Sequence, residues 1–120
     1  MPVLGIGGLF FRARDPDALS LWYREHLGVG PASATDWFWD AQGGSTVFSP
    51  FQADTAYFAT DKQWMLNLRV SDLDGLIAEL RAQGVVVETR TDWNSPETGR
   101  FARIHDPESN AIELWEPPAE

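Results

Sequence analysis

The feature that most restricts the fold of this chain is that it repeats itself. Residues 9–15 read "LFFRARD" and residues 66–72 read "LNLRVSD", and each run leads into an amphipathic stretch. After the first comes "PDALSLWYREHLGV", with Asp15 placed as N-cap, Pro16 at the first helical position and Gly28 as the stop. After the second comes "LDGLIAELRAQGV", where Leu73, Leu76, Ile77 and Leu80 recur at helical spacing and Gly84 ends the run. Arg12 corresponds to Arg69 and Asp15 to Asp72 at one common spacing, close to half the chain. An internal duplication is the economical explanation.

Strand-like segments of one kind follow each helix. In the first half they are 36–40 ("DWFWD"), 45–51 ("STVFSPF") and 55–59 ("TAYFA"). In the second half they are "VVVETR", "GRFARIH" and "AIELWEP", the last two joined by a "DPESN" turn. Each half therefore reads as strand, helix and about three strands. A single domain over residues 1–120 is expected, with modules of about 1–60 and 61–120. In such a module the helix covers one sheet face, so the other must meet water, a partner sheet or a ligand.

Composition narrows the function. The chain has no cysteine and two histidines, so a metal would need His, carboxylate or carbonyl ligands. A formal charge of −9 with no basic patch argues against nucleic acid. No apolar run reaches membrane-spanning length, and the start "MPVLGIGG" lacks a basic signal-peptide region, so a cytoplasmic protein with no membrane partner is the expectation. Six Trp, seven Phe and two Tyr exceed what two helix faces can bury, which points to a ligand pocket.

The pairing of "RARDPDALSLWYREHLGV" with "RVSDLDGLIAELRAQGV", ending in "GRFARIHDPESNAIELWEP", resembles the vicinal oxygen chelate superfamily of glyoxalase, bleomycin-resistance and extradiol-dioxygenase-like proteins. The terminal "DPESNAIELWEP" looks like the family's DPxGNxIEL ending with Ser109 in place of Gly. The resemblance covers essentially the whole chain. It implies an α+β fold in which two βαβββ modules curve their sheets around a central cleft, commonly completed as a homodimer. It also implies one divalent metal ion in that cleft, held by side chains from equivalent strands.

Tested residue by residue, the implied metal set is thin. The first ligand position falls on Gly8 and its counterpart in the second module on Met65, a soft thioether. The segment 45–51 offers only hydroxyls, and Glu113 alone matches the family's pattern. His26 reads as a surface or helix-capping residue. His105 either stabilises the "DPESN" turn or reaches the cleft, where it would join Glu113 as a ligand if a metal is bound.

Strand alternation puts Leu9, Phe11, Leu66, Leu68 and Val70 toward the helices. On the cleft side it gathers Glu113, Asn67, Arg12 and Arg69 among Phe10, Trp37, Trp39, Phe48, Phe51, Phe101 and Trp115. A mostly apolar wall with a few convergent polar groups is the make-up of a small-molecule site. The competing reading is that Glu113 only pairs with Arg12 or Arg69.

Two functions are expected from this pattern. One is metal-free binding of a flat, cationic or amphipathic small organic ligand in an aromatic-lined cleft, of the bleomycin-resistance-like kind and with no cofactor. The alternative is an enzyme, a lyase, isomerase or dioxygenase, with Glu113 as catalytic general base or metal ligand.

Overall fold

The computed structural model describes residues 2–33 and 35–119, so Met1 and Glu120 at the bounds of the expected domain lie outside the described residues. Both expected helices form. Helix α1 spans Pro16–Leu27: Asp15 Oδ1 accepts the Ala18 N–H at 3.1 Å, and Gly28 closes the helix at φ +64°, a left-handed conformation that only glycine adopts cheaply. Helix α2 spans Leu73–Ala82, and Asp72 caps it in the same way, accepting from Gly75 N–H at 3.1 Å. Near the C-terminal ends of the two helices, His26 Nδ1 lies 2.6 Å from Gln83 Oε1. These residues are 57 apart, the same separation as the repeat's Arg12 from Arg69 and Asp15 from Asp72.

Among the described residues the sheet has three strands: β1 (Leu66–Arg69), β2 (Arg100–His105) and β3 (Ala111–Glu116), in the order β1-β3-β2. β1 pairs with β3 in parallel, and β2 pairs with β3 antiparallel through the 106–110 turn. Glu88 forms an isolated bridge to Arg103, with N–H to carbonyl distances of 2.9 and 2.8 Å, so "VVVETR" contributes a single rung where a fourth strand was expected.

The core lies between this sheet and the helices. Ala102, Ile104, Ile112 and Leu114 of the sheet pack with Leu73, Ile77 and Leu80 of α2 and Leu19 and Tyr23 of α1, all buried. Alternation explains which sheet residues take part, because 102 and 104, like 112 and 114, point to one face. The 106–110 turn is fastened to α1. Buried Asp106 accepts from the Tyr23 hydroxyl at 2.7 Å, the Asn110 side-chain amide at 2.8 Å, and the backbone N–H groups of Glu108 and Asn110 at 2.8 and 3.0 Å. Glu108 accepts the N–H groups of Arg14 and Asp15 just ahead of α1.

The first half differs from its expected pattern. Among the described residues, 9–15, 36–40, 45–51 and 55–59 are not built into a hydrogen-bonded sheet. Leu9 and Phe11, expected on the helix-facing side, stand 51% and 38% exposed, whereas Leu66, Leu68 and Val70 are half-buried against the core. The physical reason is partnership. β1 and β3 satisfy each other's ladder, while among the described residues the first-half segments have no ladder partner and touch the rest of the fold only locally, as Ala13 does at the core and Phe11 at Trp64.

Candidate functional site

The face of the sheet turned away from the helices is assembled by register. Glu113 of β3 stands opposite Asn67 of β1 and Arg103 of β2, and Trp115 stands opposite Arg69 and Phe101. A carboxylate therefore occupies the centre of this face, and an indole follows one row away.

Glu113 is half-buried, and each of its oxygens has a neutral donor. The Tyr57 hydroxyl donates to Oε2 at 2.6 Å and the Asn67 side-chain amide to Oε1 at 2.7 Å. Burial, then the hydrogen bond and charge of Glu113, push the Tyr57 phenol up to about 12, with Arg103 acting in the opposite direction. Tyr57 is thus held as a donor throughout the neutral range.

Arg103 forms no ion pair with Glu113; the ion pairs among the described residues join Arg14 to Glu108, Arg90 to Asp92 and Arg100 to Asp74. Its guanidinium lies 4.7 Å from the Tyr57 ring centroid and 5.5 Å from that of Trp93. Nη1 donates to the Tyr57 carbonyl at 2.7 Å, Nη2 meets the Met65 sulfur at 3.5 Å, and Nε is buried with no acceptor. Phe101 and Trp115 stack at 6.4 Å with an 11° interplanar angle, and the Trp115 indole donates to the Thr98 carbonyl at 2.7 Å. Phe51 leans on Tyr57 at 5.6 Å and on Phe58 at 5.9 Å. Next to them lies a cavity of about 450 Å³ whose walls include Phe51, Phe58, Trp64 and Met65.

Of the residues expected in the cleft, the fold brings together Glu113, Asn67, Phe101 and Trp115, with Phe51 at the edge through Tyr57. Phe10, Phe48 and Trp37 are 80% or more exposed, and Trp39 is 46% exposed; none is gathered onto this face in the single chain. Arg69 faces the right way, but its guanidinium donates to the carbonyls of Ser45 at 2.6 Å and Gln42 at 3.0 Å. Arg12 lines a separate surface hollow with Arg14, Lys62 and Glu108. The expected ion pair of Glu113 with Arg12 or Arg69 is therefore not formed, because carbonyls hold one cation and the other lies elsewhere. His105 is exposed at the end of β2 opposite Ala111, and His26 sits against Gln83 and the Trp22 ring.

Two residues of the site, Tyr57 and Arg103, escaped the sequence reading as members. Arg103 could have been found by counting outward from the "DPESN" turn, since pairing across it sets residue 103 against 113. Tyr57 carried no such signal, because a loop rather than a register delivers it.

The residues do not fit the metal ion that the resemblance implies. Glycine and a thioether stand at two ligand positions, both Glu113 oxygens already accept hydrogen bonds, and among the described residues no three His, Cys, Asp or Glu side chains gather.

A family model described as a glyoxalase-like domain matches residues 8–115. No curated protein matches the chain. Among solved structures, TnmS3, an antibiotic binding protein from Streptomyces sp. CB03234, is 26% identical over 98% of both chains, with a TM-score of 0.63. A glyoxalase/bleomycin resistance protein from the same strain is 39% identical, but the match spans only 42% of each chain and its TM-score is 0.37.

Proposed function

The chain belongs to the glyoxalase-like domain family, and from that premise we propose that it binds a small organic molecule, without a metal ion, on the sheet face that carries Glu113. The observation that carries this reading is the arrangement of that face. A half-buried carboxylate is held by Tyr57 and Asn67 beside the stacked rings of Phe101 and Trp115, so hydrogen-bonding groups of fixed direction adjoin flat apolar surface. Similarity to an antibiotic binding protein over nearly the full length supports a small organic ligand. The stacked rings favour a flat, amphipathic one.

The protein works as a homodimer in the cytoplasm, each chain forming one domain of two modules. The exposed apolar residues support the dimer: Phe10, Trp37, Phe38 and Phe48 are each at least 80% exposed, a large amount of aromatic surface for a lone chain to keep in water. In the dimer the first-half segments find the ladder partner they lack in one chain, and the aromatic residues among them close over the Glu113 face as a cleft.

Titration with a panel of flat aromatic compounds, neutral, cationic and anionic, followed by tryptophan fluorescence and repeated on Trp115→Ala, tests the reading. Saturable quenching that Trp115→Ala weakens is the expected result. An unchanged signal across the panel overturns it.

A further inference from the structure

Arg103 is the side chain on this face whose hydrogen bonding is least complete. One edge of its guanidinium is satisfied by the Tyr57 carbonyl at 2.7 Å. The other edge, formed by Nε and Nη2, is the one that matches two oxygens of a carboxylate side by side. There Nε has no acceptor and is buried, and Nη2 has only the Met65 sulfur at 3.5 Å. A thioether is a weak acceptor, and an unsatisfied buried donor on a cation is destabilising. Such a group is kept where something else completes it.

Met65 is also a wall of the cavity of about 450 Å³ that Phe51, Phe58 and Trp64 line. Met65 thus touches both this hollow, whose walls mix aromatic side chains with polar ones such as Gln52, Thr55 and Lys62, and an unfilled two-donor edge. Methionine has three rotatable bonds and repacks at low cost. The opposite charge on this face, Glu113, already holds the donors of Tyr57 and Asn67, and the Tyr57 ring lies against the Arg103 guanidinium.

We infer that this cavity and the Nε–Nη2 edge of Arg103 form one binding site for an aryl carboxylate, whose ring lies among Phe51, Phe58 and Trp64 and whose carboxylate displaces the Met65 sulfur from the guanidinium. The inference rests on the small-molecule reading above and sharpens it: the ligand is amphipathic through an anionic end. The net charge of −9 slows such a ligand's approach, and the two-point contact at short range outweighs that repulsion.

Calorimetry at neutral pH with naphthoate and its uncharged analogue naphthamide tests this. Naphthoate binds at least about tenfold more tightly than naphthamide, the preference that charge-assisted hydrogen bonds supply. Arg103→Lys keeps the charge, loses the paired donors, and brings the two affinities within about threefold of each other. Should that variant unfold, the Arg103 Nε–H resonance of the unaltered protein serves instead, moving on addition of naphthoate and staying still with naphthamide. Equal affinities, no naphthoate binding, or an unmoved Nε–H resonance overturns the inference. If naphthoate fails while compounds of the earlier panel still quench tryptophan, this inference falls and the binding reading stands; if the whole panel and naphthoate fail, both fall.

Discussion

Asn67 and Glu113 face each other across the parallel pairing of β1 and β3, and the amide of one donates to the carboxylate of the other at 2.7 Å. This relationship explains why a carboxylate interrupts the apolar run "AIELW". Ile112 and Leu114 serve the core, and Glu113 serves the opposite face, where Asn67 and Tyr57 make its partial burial tolerable.

Removing that carboxylate changes how Tyr57 titrates. Glu113 is the second cause, after burial, of the rise of the Tyr57 phenol from 10.0 to about 12. In Glu113→Gln, phenolate absorbance attributable to Tyr57 therefore develops at lower pH than in the unaltered protein. A phenol raised on folding favours the folded state below its unfolded value and loses that contribution as pH climbs through the folded one. The stability gap between the unaltered protein and Tyr57→Phe accordingly narrows between about pH 10 and pH 12. A Tyr57 titration that does not move in Glu113→Gln contradicts the contact.

The 106–110 turn is held by a buried acceptor. Replacing Asp106 with Ala leaves the Tyr23 hydroxyl and two backbone N–H groups without it and costs roughly 2–4 kcal/mol. Tyr23→Phe removes one donor of four and costs about 1 kcal/mol. Urea unfolding of both variants checks the order, and a larger loss for Tyr23→Phe would contradict it.

Ser109 sits at φ +66°, the left-handed region, at the position where the resembled family has Gly. Ser109→Gly relieves the strain of a Cβ there and raises stability by roughly 0.5–1 kcal/mol, read from the denaturation midpoint. A lower midpoint would mean that the Ser side chain contributes something the backbone geometry does not show.

Glu108 couples the turn to α1 in a pH-dependent way. The backbone N–H groups of Arg14 and Asp15 hold its carboxyl below the ordinary value of 4.5. A carboxyl lowered on folding stabilises above its unfolded value and stops doing so as pH falls through the folded one. The unaltered protein is therefore more stable than Glu108→Gln at neutral pH, and the two converge under acid. Thermal melts across pH 2 to 7 follow the difference, and a gap that persists under acid would exclude the carboxylate as its source.

How much of this was legible depended on whether a residue's position follows from local rules. Asp15, Asp72 and Gly28 announce helix ends because capping is a matter of one turn of backbone, and both caps formed. The two faces of β3 were equally readable, since a period of two leaves no freedom once Ile112 and Leu114 are assigned to the core. Alternation places Asn67 and Glu113 on one kind of face, but their direct pairing depends on the β1-β3 strand order, which alternation does not give. Phe10, Trp37 and Phe48 look like strand residues by composition, yet a strand exists only with a neighbour, and composition does not supply one. Tyr57 and the Arg103 edge depend on how residues 52–65 cross the sheet, which no periodicity encodes.

The proposed place of the small organic ligand is the sheet face around Glu113. Its most direct test is an NMR titration that follows the Trp93 and Trp115 indole N–H signals and the backbone amides of Asn67, Arg103 and Glu113 as the aromatic panel is added. Saturable shifts concentrated on those signals are expected, with the outward-facing amides of α2, such as Glu79, unmoved. Saturable shifts confined to residues away from this face, or none with any compound, would contradict it.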